Sequence, residues 1–420
     1  MLAALNSILL AIGGMIGGGI FLLNGFCVYN LGYFSMFQWI IGVVISMLIA
    51  FSFALLSTKA KRKALIVEYT DKFVKSKNLR LFITLGILFS YVVISGVYSI
   101  SLSEYVCEYF KIDAKKIVSI LVIILCLFQY YFSEKSYSNI VSFLVIIKVF
   151  ILTSIIITGV VKKAPEVVRN GNCFSDGNSL LALTGFLTVI AYSFRTFLSY
   201  EGFELMTISI NNVKNKQNTI PMTYIIAILT VGLIYVGLAY VTQKHIGWKL
   251  TPKNYFHSFL LLIEDIGFAK SGRLIILLLA IFTNLSAINV TYFTIGKYLI
   301  DILEMNDKIK IFQLFNRDVK VPLIKEKRNL YMWIFVLMII LMVQLRPLLL
   351  TNLASLLFLL MFSYVSFLSI NMIKKEKEEG NKLQLFNKKI DYSIAKIPAY
   401  TVFFICACAV IVLFGDFVSA

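Results

Sequence analysis

The 420 residues are 59% hydrophobic and only 15% charged, and a mean hydropathy of +0.85 excludes an ordinary water-soluble domain. The formal net charge of +18 arises from 40 Lys and Arg against 22 Asp and Glu. These cations lie mostly between apolar stretches of about 20 residues, so the excess reads as a membrane-topology signal and not as a nucleic-acid surface.

In chain order, the first stretch, Leu5 to Tyr29, contains Gly13-Gly14-Met15-Ile16-Gly17-Gly18-Gly19-Ile20-Phe21. So many glycines weaken a helix where the bilayer offers no water to freed backbone groups, which predicts a deliberate break lining a buried binding site. With no basic segment before it and no small-residue cleavage site, this stretch reads as a retained helix and not as a signal peptide. Spans follow at Phe34 to Leu56, Leu79 to Ser103, Ile117 to Phe132 and Ile140 to Val161, the last holding Lys148 within Leu144-Val145-Ile146-Ile147-Lys148-Val149-Phe150.

The sixth span, Leu180 to Ile210, is long for a simple crossing. Its stretch Thr196-Phe197-Leu198-Ser199-Tyr200-Glu201-Gly202-Phe203-Glu204 brings hydroxyls, a glycine and two carboxylates to mid-membrane depth. Tyr224 to Thr242, Leu274 to Ile302, Leu330 to Leu345, a span from Arg346-Pro347 to Ile373, and Ala395 to Phe414 complete about eleven spans. A lone glycine is read most simply as a close helix contact. Two breaks five spans apart instead suit two inverted five-helix repeats, with freed amides and carbonyls meeting near the midplane. The expected organisation is a ten-helix core over residues 1–373 (repeats 1–161 and 179–373), a cytoplasmic basic loop at 374–394 and an additional helix at 395–420.

A cytoplasmic N-terminus gathers Lys59 to Lys63, Lys214 and Lys216, the Lys308 to Arg328 loop and Lys374 to Lys389 on the inside, leaving the C-terminus outside. Six cysteines, several mid-span (Cys126, Cys406, Cys408), have no metal-ligand spacing and read as packing residues; no cofactor is expected. His245 and His257 fall in the outer loop before the eighth span, in neither triad nor metal spacing, and no nucleophile motif supports an enzyme.

At these residues the chain resembles the amino acid permeases of the APC (amino acid/polyamine/organocation) superfamily, which share the LeuT fold. Gly14-Met15-Ile16-Gly17-Gly18-Gly19-Ile20-Phe21 looks like the first-helix signature G-x-x-G-x-G-I-F, with Gly18 where Ser, Thr or Ala is usual. Ser199-Tyr200-Glu201-Gly202-Phe203-Glu204, followed by Asn211-Asn212-Val213-Lys214-Asn215 and Thr219-Ile220-Pro221, resembles the more specific sixth-helix signature. Phe143 to Ile157, with Lys148, looks like the proton-coupled, ApcT-like branch. Many members have twelve spans where this chain has room for eleven, a departure that bears on dimer contacts more than on transport.

The resemblance implies an all-α membrane transporter with discontinuous helices 1 and 6, moving an amino acid or related amine by alternating access, with protons as the coupling ion. Amides of Gly17, Gly18 and Gly19 would meet the substrate carboxylate, aided by the positive end of the second half-helix. Carbonyls of Ile16, Ser199, Tyr200 and Glu201 would accept from the ammonium, with Gly202 at the second break. Lys148 would take the place where sodium-coupled relatives hold sodium, touching backbone at Gly14 or Met15 and Leu285-Ser286-Ala287; Ser286 and Glu204 complete the proton-coupling set. A static role for Lys148, pairing with a carbonyl or Glu204, stands beside proton coupling.

Arg195 has three roles open: contact with an acidic substrate, a pair with Glu201, or outward snorkelling. Glu201 could bind a cationic side chain or the ammonium, or balance Arg195. Asn284, Ser286, Asn289 and Thr291, with Tyr91, Ser95 and Tyr98, line candidate cavity faces or make interhelical hydrogen bonds. Lys297 reaches the inner interface. The alternatives to a proton-coupled carrier are a sodium-coupled or exchange carrier for polyamines or other organic cations, and a non-transporting amino acid receptor.

Overall fold

The first apolar stretch folds as two helices, α1 (Leu2–Met15) and α2 (Gly18–Leu31), separated at Ile16 and Gly17. The structure is a computed structural model that describes residues 2–60, 65–129, 134–164, 179–212, 215–305 and 324–419. Lys214, Lys61 to Lys63 and most of the Lys308 to Arg328 loop, all assigned to the inside above, lie outside the described residues, as does Val213 of the sixth-helix signature.

A short 3-10 turn over Gly32–Phe34 leads into α3 (Ser35–Lys59), with Gly32 supplying the positive φ of 57° that ends α2. Next come α4 (Leu65–Phe73), α5 (Lys77–Phe110), α6 (Lys115–Gln129) and α7 (Glu134–Val161). The sixth stretch is broken as expected: α8 (Ser179–Arg195) gives way to 3-10 turns at Phe197–Tyr200 and Phe203–Asn212, interrupted at Glu201 and Gly202. The chain continues through α9 (Lys216–Ile246), α10 (Ser258–Asp265), α11 (Ala269–Met305), α12 (Ile324–Met342) and α13 (Pro347–Glu378). Pro347 opens α13, where its missing N–H is no loss and its fixed φ suits the first turn. An antiparallel hairpin of β1 (Leu383–Leu385) and β2 (Lys388–Ile390) precedes α14 (Tyr392–Ser419).

Among the described residues seven helical stretches are long and apolar enough to cross a membrane, with Ala4–Met15 and Met332–Met342 as shorter apolar helices. The exterior carries the large hydrophobic side chains that lipid accepts, including Phe82, Phe150, Leu233 and Phe404. The chain is therefore an all-α, multi-pass membrane protein, with one small hairpin added.

Helix α7 explains where its lysine goes. Phe143, Ile146, Phe150 and Ile157 are exposed, whereas Val141, Val145, Lys148, Leu152 and Ile155 are buried. The second set recurs every three or four residues, so Lys148 belongs to the stripe that faces the bundle.

Three elements were not foreseen. Helix α4 ties back through Tyr69 Oη to the Leu56 carbonyl at 2.8 Å, and its Thr70 accepts from Tyr364 Oη at 3.0 Å. Helix α10 lies in the loop that holds His257. The hairpin turns through Phe386 and Asn387, both at positive φ, and docks on the start of α9 through the Phe386 N–H and the Gln217 carbonyl at 2.8 Å. It falls inside the segment 374–394 read above as a loop. Lys59 at the end of α3 pairs with Glu376 in the last turns of α13. The ends assigned to one membrane side by the alternation of spans thus meet each other.

Candidate functional site

The two breaks pack directly on each other. A methyl group built on Gly14 would lie 3.0 Å from both the α-carbon and the carbonyl oxygen of Gly202, and Gly202 itself adopts φ +117°. Only glycine meets both demands, since a side chain at Gly202 would be strained and would strike the Gly14 backbone. Glu204 secures this turn, its Oε2 accepting the Gly202 N–H at 2.8 Å.

Lys148 spans the first break from outside. Its fully buried ammonium donates to the carbonyls of Gly13 at 3.0 Å and Ile16 at 2.6 Å, and to Ser286 Oγ of α11 at 2.8 Å. Three acceptors match the three N–H donors of an ammonium. Ser286 can accept because its own hydroxyl proton goes to the Thr283 carbonyl at 2.9 Å. The expected serine is present, but the backbone partners are Gly13 and Ile16 in place of Gly14 or Met15. The Gly14 and Met15 carbonyls are taken by other helices, Gly14 by Tyr98 Oη of α5 and Met15 by Tyr235 Oη of α9, while Gly13, whose i+4 amide at Gly17 turns to Met15, and Ile16 in the break itself are left to Lys148.

Tyr235 of α9 was missed by sequence reasoning. Its phenol oxygen lies 2.8 Å from both the Met15 and the Ser199 carbonyls, so one hydroxyl bridges the two breaks. Nothing in its apolar local sequence distinguishes it from a packing tyrosine.

Of the expected cradle amides, Gly17 N–H donates to the Met15 carbonyl at 2.9 Å. Gly18 and Gly19 open α2, where first-turn amides find no partner within their helix. The space above them is tight: a methyl group on Gly18 would meet Ser101 Cβ at 2.6 Å and Asn284 Oδ1 at 2.7 Å, and one on Gly19 would meet Ser199 Oγ at 2.9 Å. Two of the expected ammonium acceptors are engaged, Ile16 with Lys148 and Ser199 with Tyr235. The Tyr200 side chain turns away to donate to the Trp39 carbonyl at 2.7 Å, leaving only its backbone for a ligand.

Glu201 is fully buried, and among the described residues neither of its carboxylate oxygens accepts a hydrogen bond. No hydrogen bond joins Glu201 to Arg195, and the Arg195 guanidinium lies over the Tyr192 ring at 5.0 Å. On α5, Tyr98 Oη donates to the Gly14 carbonyl at 3.3 Å, whereas Ser95 bonds within its own helix to the Tyr91 carbonyl. Thr291 likewise bonds back to the Ala287 carbonyl, and Lys297 lies 5.0 Å from the centre of the Phe293 ring. His245 is not in a loop. It sits in the last turn of α9, fully buried, bonded to the Gly159 carbonyl at 2.8 Å and to Asp265 at 3.1 Å.

The amino acid permease family model matches residues 2–418. Amino acid transporter protein 6 of Caenorhabditis elegans is 26% identical over 253 residues, covering 56% of this chain and 46% of that protein. The inner membrane transport protein YbaT of Escherichia coli K12 is 23% identical over 295 residues, covering 69% of this chain and 66% of that protein. The matches thus span from about half to two thirds of these relatives' own length. Facing glycine breaks in a multi-pass helical chain, and a family match over almost all of its length, lead to one conclusion: the chain belongs to the amino acid permease family.

Proposed function

We propose that this protein is a secondary active transporter that moves amino acids across a cell membrane by alternating access, driven by protons. Family membership and the relatives named as transporters support the amino acid substrate class and a non-enzymatic role. The observation that carries the coupling is the Lys148 ammonium, fully buried and donating to Gly13, Ile16 and Ser286.

A charged Lys148 ties α7 and α11 to the first break with three donors. A neutral amine has two donors and a lone pair, so at least one of these bonds is lost on deprotonation. Hydrogen bonds made by a charged group contribute about 1.5–3 kcal/mol each, enough to shift a two-state balance between outward and inward forms by tenfold or more. The ammonium also occupies carbonyls that a sodium ion would need, which favours protons over sodium as the coupling ion.

In the proposed cradle the amides of Gly18 and Gly19 meet the substrate carboxylate at the positive end of α2, with Gly17, the Ser199 to Glu201 backbone and Gly202 closing it. The proposed orientation keeps the N-terminus inside and the C-terminus outside, within a ten-helix core of two inverted repeats plus an eleventh span. Counterflow of individual amino acids into proteoliposomes, with and without an imposed pH gradient, tests the function. Net uptake that responds to the gradient supports a carrier; binding without uptake identifies a receptor and overturns the proposal.

A further inference from the structure

Around the two breaks several buried side-chain oxygens are unengaged. Both Glu201 oxygens, Asn284 Oδ1 and Ser199 Oγ are buried, and none has a hydrogen-bond partner among the described residues. Asn284 and Ser199 face Gly18 and Gly19, while the neighbour of Glu201 in sequence, Gly202, lies against Gly14. Asn284 and Ser199 thus face the start of α2 from α11 and from the sixth stretch, and Glu201 stands in the second break, next to the glycine that packs on the first.

Among the described residues nothing satisfies the Glu201 carboxyl group, and the Lys148 ammonium beside the first break is already engaged by Gly13, Ile16 and Ser286. The α-ammonium of an ordinary amino acid is matched by its own carboxylate, whereas a ligand with one additional cation has a charge and several N–H donors left over for Glu201.

We infer that the substrates are amino acids with a cationic side chain, lysine- or arginine-like, and that Glu201 is the residue that reads the second ammonium or guanidinium. The inference rests on the proposed transport function and narrows its substrate class. A carboxylate buried in this way discriminates strongly, because a neutral side chain leaves it unpaired while a cation satisfies it.

The test is counterflow of radiolabelled lysine, arginine and leucine into proteoliposomes holding the wild-type protein, Glu201→Gln or Glu201→Asp, together with melting of the detergent-solubilised wild type with each amino acid. The wild type should favour lysine or arginine over leucine by at least about tenfold. Glu201→Gln should reduce the lysine-to-leucine ratio by a similar factor, and Glu201→Asp should retain a preference for lysine. Lysine should raise the wild-type melting temperature more than leucine does, a readout that needs no variant to fold. Leucine counterflow equal to that of lysine, or a lysine preference that survives in Glu201→Gln, overturns this inference and leaves amino acid transport standing. Absence of counterflow for every amino acid overturns the transport reading and this inference with it.

Discussion

Gly14 and Gly202 meet backbone to backbone, so that each broken helix is the wall against which the other is built. Neither position tolerates a side chain, but for different reasons: Gly14 lacks space, and Gly202 lacks both space and a permitted φ.

Gly202→Ala should therefore destabilise the protein by about 2 kcal/mol or more, combining backbone strain with overpacking, and should lower its melting temperature in detergent. Gly86→Ala is the control. A methyl group on Gly86 of α5 meets nothing within 4 Å, so that variant should melt at or slightly above the wild-type temperature. Equal effects at the two positions would contradict the packing argument.

Tyr235→Phe removes the one hydroxyl shared by the Met15 and Ser199 carbonyls while keeping the ring. The expected cost is about 1–2 kcal/mol of stability, with substrate affinity weakened because the two breaks are no longer held in register. Thermal melting with and without substrate measures both effects. A variant with wild-type melting and affinity would remove Tyr235 from the site.

Gly19→Ala introduces a methyl group 2.9 Å from Ser199 Oγ, where the proposed cradle needs close backbone approach. Binding of a labelled amino acid should weaken by at least about tenfold, or ~1.4 kcal/mol. Gly19→Leu should abolish it. Amino acid amides, which lack the carboxylate charge, should compete poorly in the same assay. Undiminished binding to Gly19→Leu would exclude the cradle.

The legible parts of this fold were those written in local composition. Glycines at 13, 14 and 17 to 19 announced the first break, and Gly202 among polar residues announced the second, because both are visible as interruptions of an apolar run. Lys148 was conspicuous for the same reason, whereas its serine on α11 follows from the family resemblance and not from local composition. The carbonyl partners of Lys148 were not legible, since they depend on which turn of α1 unwinds. Tyr235 was hidden because its role comes from standing opposite both breaks, a property of packing and not of its own segment. The hairpin was missed because Phe386 and Asn387 are ordinary loop residues until their positive φ values and the docking on Gln217 are known. The sequence allows Glu201 either pairing or recognition, and only the fold shows that its carboxylate makes no hydrogen bond to Arg195.

The central claim is that Lys148 couples substrate movement to protons. The most direct test is uptake by Lys148→Ala in proteoliposomes, driven by an inward proton gradient and compared with substrate binding by the same preparation. Losing Lys148 removes all three bonds to Gly13, Ile16 and Ser286, so the account predicts loss of gradient-driven uptake with binding still measurable and no rescue by sodium. Uptake by Lys148→Ala with an unchanged dependence on the pH gradient would contradict it.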